Sequence, residues 1–250
     1  MSTRLFKKVN QWQQKIFYWH RRSRLLLPGM CLICMQPLLG ERDLCQPCKR
    51  LLPANLICCD WCAESLSSDY AKQQLRICQQ CAKTPAAFDK VLAPWLYKNP
   101  FNKLVWEFKY TKNLAAGYLL VDLLFDALIE HNQTYDCLVV IPGQKKRIQQ
   151  RGYHAPSWLA KHLSLLTGIP FLKNGLMRVK DIESQQDLNR KARFLNPKGA
   201  FKAMPHIAGK KVLLLDDVIT TGASAHWAAD ELKKQGAASV DVLAAAKTAR

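Results

Sequence analysis

Val212-Leu-Leu-Leu-Asp-Asp-Val-Ile-Thr-Thr-Gly-Ala-Ser224 changes character twice within a short span. Its apolar start predicts a buried strand over 211–215, the two carboxylates fall at that strand's carboxyl end, and a hydroxyl-rich turn then opens a helix predicted over 222–235. A further apolar run predicts a strand over 240–244, and strand, helix, strand in this order is the crossover that builds a parallel sheet. Asp216 and Asp217 suit two neighbouring hydroxyls of a sugar, each carboxylate accepting a hydrogen bond. Thr220, Thr221, Gly222, Ala223 and Ser224 present backbone N–H groups and hydroxyls at a helix amino terminus, where a phosphate is favoured. Gly222 lets the backbone come close to that phosphate. Ligands of open α/β sheets sit just beyond the carboxyl ends of the strands, which is where this segment falls. Paired aspartates alone would equally suit magnesium, and Thr-Thr-Gly alone would merely cap a helix. Each of those readings accounts for half of the segment.

Working backwards from this unit, strands and helices alternate from residue 88 onward. Strands are predicted over 91–97, 137–141 and 199–203, and helices over 102–109, 114–130 and 155–166. The fold class is α/β, a largely buried parallel sheet flanked by helices. Neither the Gly-x-x-x-x-Gly-Lys phosphate loop, nor Gly-x-Gly-x-x-Gly, nor a His-Glu-x-x-His metalloprotease motif occurs. Lys145, Lys146, Arg147 and Arg151 fall in a loop expected after the 137–141 strand, where they suit a pyrophosphate, the phosphates of DNA, or simply solvent.

The chain of 250 residues carries ten cysteines, and nine of them fall between Cys31 and Cys81. Four Cys-x-x-Cys pairs stand in a row: Cys31 with Cys34, Cys45 with Cys48, Cys59 with Cys62, and Cys78 with Cys81. Each pair forms a knuckle with two thiolates facing one cation, and two knuckles complete the tetrahedral four-sulfur shell of zinc. Eight ligands supply two structural zinc ions. Consecutive pairing gives two stacked ribbons and crossed pairing would interleave them; the consecutive one is expected because each unit then closes with a short loop, and Cys58 is a spare thiol that could compete for the place of Cys59. So few large apolar residues accompany the cysteines that this part needs metal to fold. Trp61, beside the ligands, is expected to pack over a knuckle rather than stack on a base.

Residues 2–24 hold no acid, and Leu5, Val9, Trp12, Ile16 and Trp19 recur at helical spacing. That pattern predicts a basic amphipathic helix whose stripe is expected to dock on the rest of the protein, with a membrane surface, a partner protein or nucleic acid as the alternatives. Three parts follow: a basic helical segment at 1–27, a cysteine-rich zinc-binding domain at 28–84 and an α/β domain at 85–250. No apolar run approaches the roughly 20 residues that span a bilayer, and the amino-terminal segment lacks the pattern of a secretory leader. A cytoplasmic setting is expected, where paired thiols bind metal rather than form disulfides. The formal net charge of +18 suits a phosphate-rich partner such as nucleic acid.

The 212–224 segment resembles the signature of type I phosphoribosyltransferases. Over about four-fifths of the chain the succession of motifs is similar to the ComF (GntX-like) family. The cysteine knuckles come first, then Phe108-Lys109-Tyr110, then Arg151-Gly152-Tyr153. Ser184-Gln185 with Arg193 and Asn196, Ala200-Phe201 and the Asp-Asp turn complete the order. The resemblance implies a phosphoribosyltransferase-like fold that binds phosphoribosyl pyrophosphate with Mg2+. Asp216 and Asp217 would hold the ribose as catalytic residues, and Thr220 to Ser224 the 5′-phosphate. Lys145, Lys146, Arg147 and Arg151 are placed where such enzymes bind pyrophosphate. It also implies competence: natural transformation, handling of incoming single-stranded DNA, and a helicase or recombination mediator as partner. A phosphoribosyltransferase acting on an unidentified acceptor with no direct DNA role is the alternative, and an assembly platform is a third. Four positions depart from the family pattern: Gly143 and Gln144 after Pro142, His154 after the Arg-Gly-Tyr triplet, and Ser224, which keeps the hydroxyl of the more usual Thr.

Overall fold

The computed structural model describes residues 29–40, 42–180 and 195–249. The expected helix within 1–27, together with Ser184, Gln185 and Arg193, lies outside the described residues. In chain order the elements are a hairpin of β1 (Gly29–Met30) and β2 (Pro37–Leu38), the short helices α1 (Gln46–Arg50) and α2 (Gln79–Lys83), and strands β3 (Lys90–Leu92) and β4 (Trp95–Leu96). Helix α3 (Phe101–Trp106) runs into a π turn (Glu107–Thr111) and is followed by α4 (Leu114–His131), β5 (Cys137–Val140), α5 (Lys145–Arg151) and α6 (Ala155–Thr167). Strands β6 (Leu176–Arg178), β7 (Phe201–Ala203) and β8 (Lys211–Ile219), helix α7 (Ala223–Lys234) and strand β9 (Ser239–Lys247) complete the described chain.

The central sheet has the order β3-β9-β8-β5, all parallel, with β4 also pairing to β9. Val212, Leu213, Leu214 and Leu215 are wholly buried because the sheet is covered on both faces. Leu213 and Leu215 pack with α3, α4 and α6, whereas Val212 and Leu214 pack with α7 on the other side. This is the expected α/β class, a parallel sheet flanked by helices, with the cysteine-rich part attached. Among the described residues no helix is long and apolar enough to cross a membrane.

Several boundaries differ from those expected. Pairing of β8 with β9 continues to Ile219 and Lys247, while β5 stops opposite Leu215, so Asp216 and Asp217 lie inside β8 rather than after it. A crevice opens beside them where β5 has ended. Residues 91–97 form two strands rather than one. Residues 199–203 yield β7, which pairs antiparallel with β6 in a separate ribbon. Lys145 to Arg151, expected in a loop, form α5.

Candidate functional site

Asp216 and Asp217 line one wall of a cleft of about 400 Å³ at the carboxyl edge of the sheet. Asp217 is buried and its Oδ1 lies 2.9 Å from Lys109 Nζ, while the Asp217 amide donates to Asp216 Oδ1 at 2.8 Å. Burial, reinforced by the neighbouring Asp217 charge, pushes the Asp216 carboxyl up to about 7. Arg147, Arg151 and Arg178 supply further positive charge to the cleft. The helical geometry of α5 puts Arg147 and Arg151, four residues apart, on the same side. Lys145 and Lys146 are exposed and do not line the cleft. Arg178 Nε donates to Pro142 O at 2.9 Å, and its guanidinium lies 4.9 Å from the Phe201 ring centroid.

Lys109 arrives through the π turn, which sends three consecutive side chains to three places. Phe108 enters the core, Lys109 reaches Asp217, and Tyr110 meets Arg151 at the surface. The wider turn is closed by Lys112 in the left-handed region, φ 57°, and by a hydrogen bond from the Tyr153 hydroxyl to Phe108 O.

Two of the unusual positions touch each other. Gly143 N–H donates to His154 Nε2 at 3.1 Å, and His154 Nδ1 lies 2.7 Å from Ser157 Oγ. Burial lowers the His154 pKa, in keeping with a neutral ring that accepts at Nε2. A Cβ at position 143 would stand 3.0 Å from His154 Cδ2 and Nε2, so glycine here and histidine at 154 go together.

The hydroxyl turn stands above the carboxylates. Gly222 caps α7 with φ 79°, a conformation that disfavours any side chain, and the Ala223 amide bonds Thr221 Oγ1 at 3.3 Å. Thr220 and Ser224 face the carboxylate cleft. Thr221 and Gly222 line a second cavity of about 520 Å³, shared with Cys62, Cys81 and His226. Lys247 binds the turn to the cysteine-rich part. Its Nζ, with the side chain only 2% exposed, donates to Thr220 O at 2.8 Å and Thr248 O at 3.1 Å, and lies 2.9 Å from Glu64 Oε2. No sequence motif marks Lys247, which lies beyond the strand predicted over 240–244 and stands at the end of the longer β9. Arg178 carried no motif signal, and Lys109 was noticed only as part of a motif.

Cys31, Cys34, Cys45 and Cys48 form one cluster, and Cys59, Cys62, Cys78 and Cys81 another, with the sulfurs of each within 4.8 Å of one another. The consecutive pairing is therefore the observed one. Sulfur separations of 3.8 Å between Cys34 and Cys45, and 3.6 Å between Cys62 and Cys78, fit the edge of about 3.8 Å expected for a tetrahedron with metal–sulfur bonds of about 2.3 Å. The Cys78 amide points at Cys59 Sγ and the Cys81 amide at Cys78 Sγ, both at 3.4 Å, donors that stabilise thiolates. Each cluster could hold a metal ion. Cys58 stands outside both, and burial raises its thiol pKa. Trp61 packs against the second cluster and its carbonyl accepts from Val91 N at 2.8 Å, which matches the packing role expected of it. Arg42 fastens the first cluster to α4 through Asp126 and Asp122.

These features place the chain among parallel α/β proteins whose cleft opens at the carboxyl edge of the sheet, here joined to two four-cysteine knuckle pairs. Comparison with known proteins narrows the class. Over 230 residues the chain is 26% identical to the DNA utilization protein YhgH of Salmonella typhimurium, covering 90% of this chain and 99% of that one. The Escherichia coli protein of the same name is 25% identical over the same coverage. Competence protein F of Haemophilus influenzae is 28% identical over 221 residues, 85% of this chain and 94% of that one. The chain is a homologue of these proteins, as its resemblance to the ComF family implies. No protein-family model matches it. Among solved structures, the glutamine phosphoribosylpyrophosphate amidotransferase of B. subtilis aligns with 56% of this chain and 30% of its own, at 19% identity and a TM-score of 0.39.

Proposed function

We propose that the protein binds phosphoribosyl pyrophosphate with magnesium in the Asp216–Asp217 cleft and serves the handling of incoming single-stranded DNA in the cytoplasm during natural transformation. The names of its homologues favour the DNA role. One observation carries the ligand reading: two adjacent carboxylates and the two ends of the hydroxyl turn, Thr220 and Ser224, share a cleft with Lys109, Arg147, Arg151 and Arg178. The carboxylates accept from the ribose 2′ and 3′ hydroxyls, and the amides and hydroxyls of the turn take the 5′-phosphate. The cations face the pyrophosphate, and positioning with charge neutralisation is what these residues contribute to any pentosyl transfer. The cysteine clusters hold two structural zinc ions. The three-part division at 1–27, 28–84 and 85–250 belongs to the same proposal.

Calorimetric titration of phosphoribosyl pyrophosphate with magnesium tests the ligand reading. Wild type is expected to bind, and the Asp216→Asn, Asp217→Asn double variant to lose at least tenfold in affinity, because each amide replaces an acceptor pair with one acceptor and a donor. Affinity should also rise between about pH 6 and pH 8, since two donated hydroxyls favour ionised Asp216, whose pKa stands at about 7. In stability the same group acts in the opposite sense. The fold holds a proton that the unfolded chain releases from 3.8 upward, so the stability this group lends in acid is lost as pH rises to about 7. Equal affinity in wild type and variant removes the ligand from this cleft.

A further inference from the structure

Beside the cleft, the end of α3 and the outer side of the π turn carry two large aromatic side chains in water. Trp106 is 49% exposed and Tyr110 53%, with ring centroids 5.8 Å apart at 31°. Arg151 continues the row: its guanidinium stands 4.6 Å from the Tyr110 centroid, and its Nη2 donates to the Tyr110 hydroxyl at 3.0 Å. Ordinary packing does not account for this arrangement, because the core beneath is filled by Phe101, Leu104, Val105 and Phe108 from the same stretch. Contacts along the row instead hold the rings in fixed positions at the surface, which lowers the entropy lost when a flat partner stacks on them.

The surroundings are strongly cationic. Residues 103–113 and 145–153 hold seven basic residues, Lys103, Lys109, Lys112, Lys145, Lys146, Arg147 and Arg151, against the single acid Glu107. That acid is already engaged by Asn113 at 3.0 Å and Lys103 at 3.8 Å, and of the seven cations Lys109 is turned inward onto Asp217. Next to Tyr110, an open depression of about 630 Å³ is lined by Lys112, Arg147 and Arg151 with Gln149 and Gln150. Aromatic faces interleaved with cations and amides bind a polyanion whose flat groups are unstacked, which describes single-stranded nucleic acid and not a duplex.

We propose that the Trp106–Tyr110–Arg151 row is the platform on which single-stranded DNA lies, its bases stacking on the aromatics and its phosphates meeting Lys112 and α5. The inference rests on the DNA-handling reading above and assigns it to a face. Arg147 and Arg151 line both this depression and the carboxylate cleft, so DNA and phosphoribosyl pyrophosphate meet at two side chains.

Fluorescence anisotropy with a labelled oligothymidylate tests the platform in the full chain. Trp106→Ala and Tyr110→Ala are each expected to weaken binding roughly five- to hundredfold, whereas Tyr110→Phe, which keeps the ring and gives up only the hydroxyl that Arg151 bonds, should lose less than Tyr110→Ala. Lys112→Gln should lower the slope of log affinity against log salt by roughly one, and an unlabelled duplex should compete poorly. Titration of phosphoribosyl pyrophosphate into Trp106→Ala should give the wild-type affinity, which also certifies the fold. Wild type that binds no oligothymidylate overturns the DNA-handling reading and the platform together. Wild type that binds while both alanine variants bind equally well overturns the platform alone.

Discussion

Exchanging Lys247 for methionine is expected to lower the unfolding free energy by about 3–5 kcal/mol, read by denaturant melts. Methionine matches the stem of lysine in volume, so packing changes little. What is lost is the partner of Glu64, whose side chain is only 11% exposed, and the donor to the Thr220 and Thr248 carbonyls. A buried carboxylate left without its cation costs far more than a surface pair yields. The Glu64→Gln, Lys247→Met double variant should therefore be more stable than Lys247→Met alone, since a neutral amide no longer needs the ammonium. Because Lys247 also fixes the carbonyl that begins the hydroxyl turn, ligand affinity should fall even where Lys247→Met remains folded. A variant within about 1 kcal/mol of wild type would mean that the buried pair does not brace the turn.

Removing metal should have a larger effect. The second cysteine cluster has almost no apolar core of its own beyond its cysteines, with Trp61, Leu66 and Ile77 packed around them. Structural zinc contributes roughly 10–16 kcal/mol of apparent binding free energy in isolated finger peptides at neutral pH, more than a part of this size gains from burial. Purified protein is expected to hold two metal ions per chain by elemental analysis. Cys48→Ser and Cys78→Ser should each remove one, because the two clusters share no ligand. Chelation should unfold the cysteine-rich part and free Glu64 from Lys247, while the sheet survives on its own core. Two ions retained in either variant would contradict the clusters, as would a chelated protein with unchanged melting.

Much of the fold is legible in the sequence, and the reasons differ from part to part. The cysteine knuckles are legible from their spacing, but the sequence also admits crossed pairing, and only the observed clusters decide for the consecutive one. Val212 to Leu215 announced a buried strand because a sheet covered on both faces demands an unbroken apolar run. The end of that strand was misplaced because two carboxylates look like its end, whereas in three dimensions β5 stops opposite Leu215 and β9 continues to pair. Helix α5 left no trace, since Lys145-Lys-Arg-Ile-Gln-Gln-Arg151 has one apolar residue and hence no period. Arg178 and Lys247 reach the site through the fold alone, one from the end of β6 in the separate two-stranded ribbon and the other through a buried pair with a residue far away in the chain. Gly143 and His154 were visible as departures from a pattern, but only their contact explains why both occur.

The central claim is that a phosphorylated ribose lies across β8 and the start of α7. A crystal structure of the full chain grown with phosphoribosyl pyrophosphate and magnesium tests it most directly. The 5′-phosphate is expected against the amides of Thr221 to Ser224, with both ribose hydroxyls on Asp216 and Asp217. Crystals grown at saturating ligand that show this cleft filled only by water, or the phosphates bound elsewhere, would contradict the account.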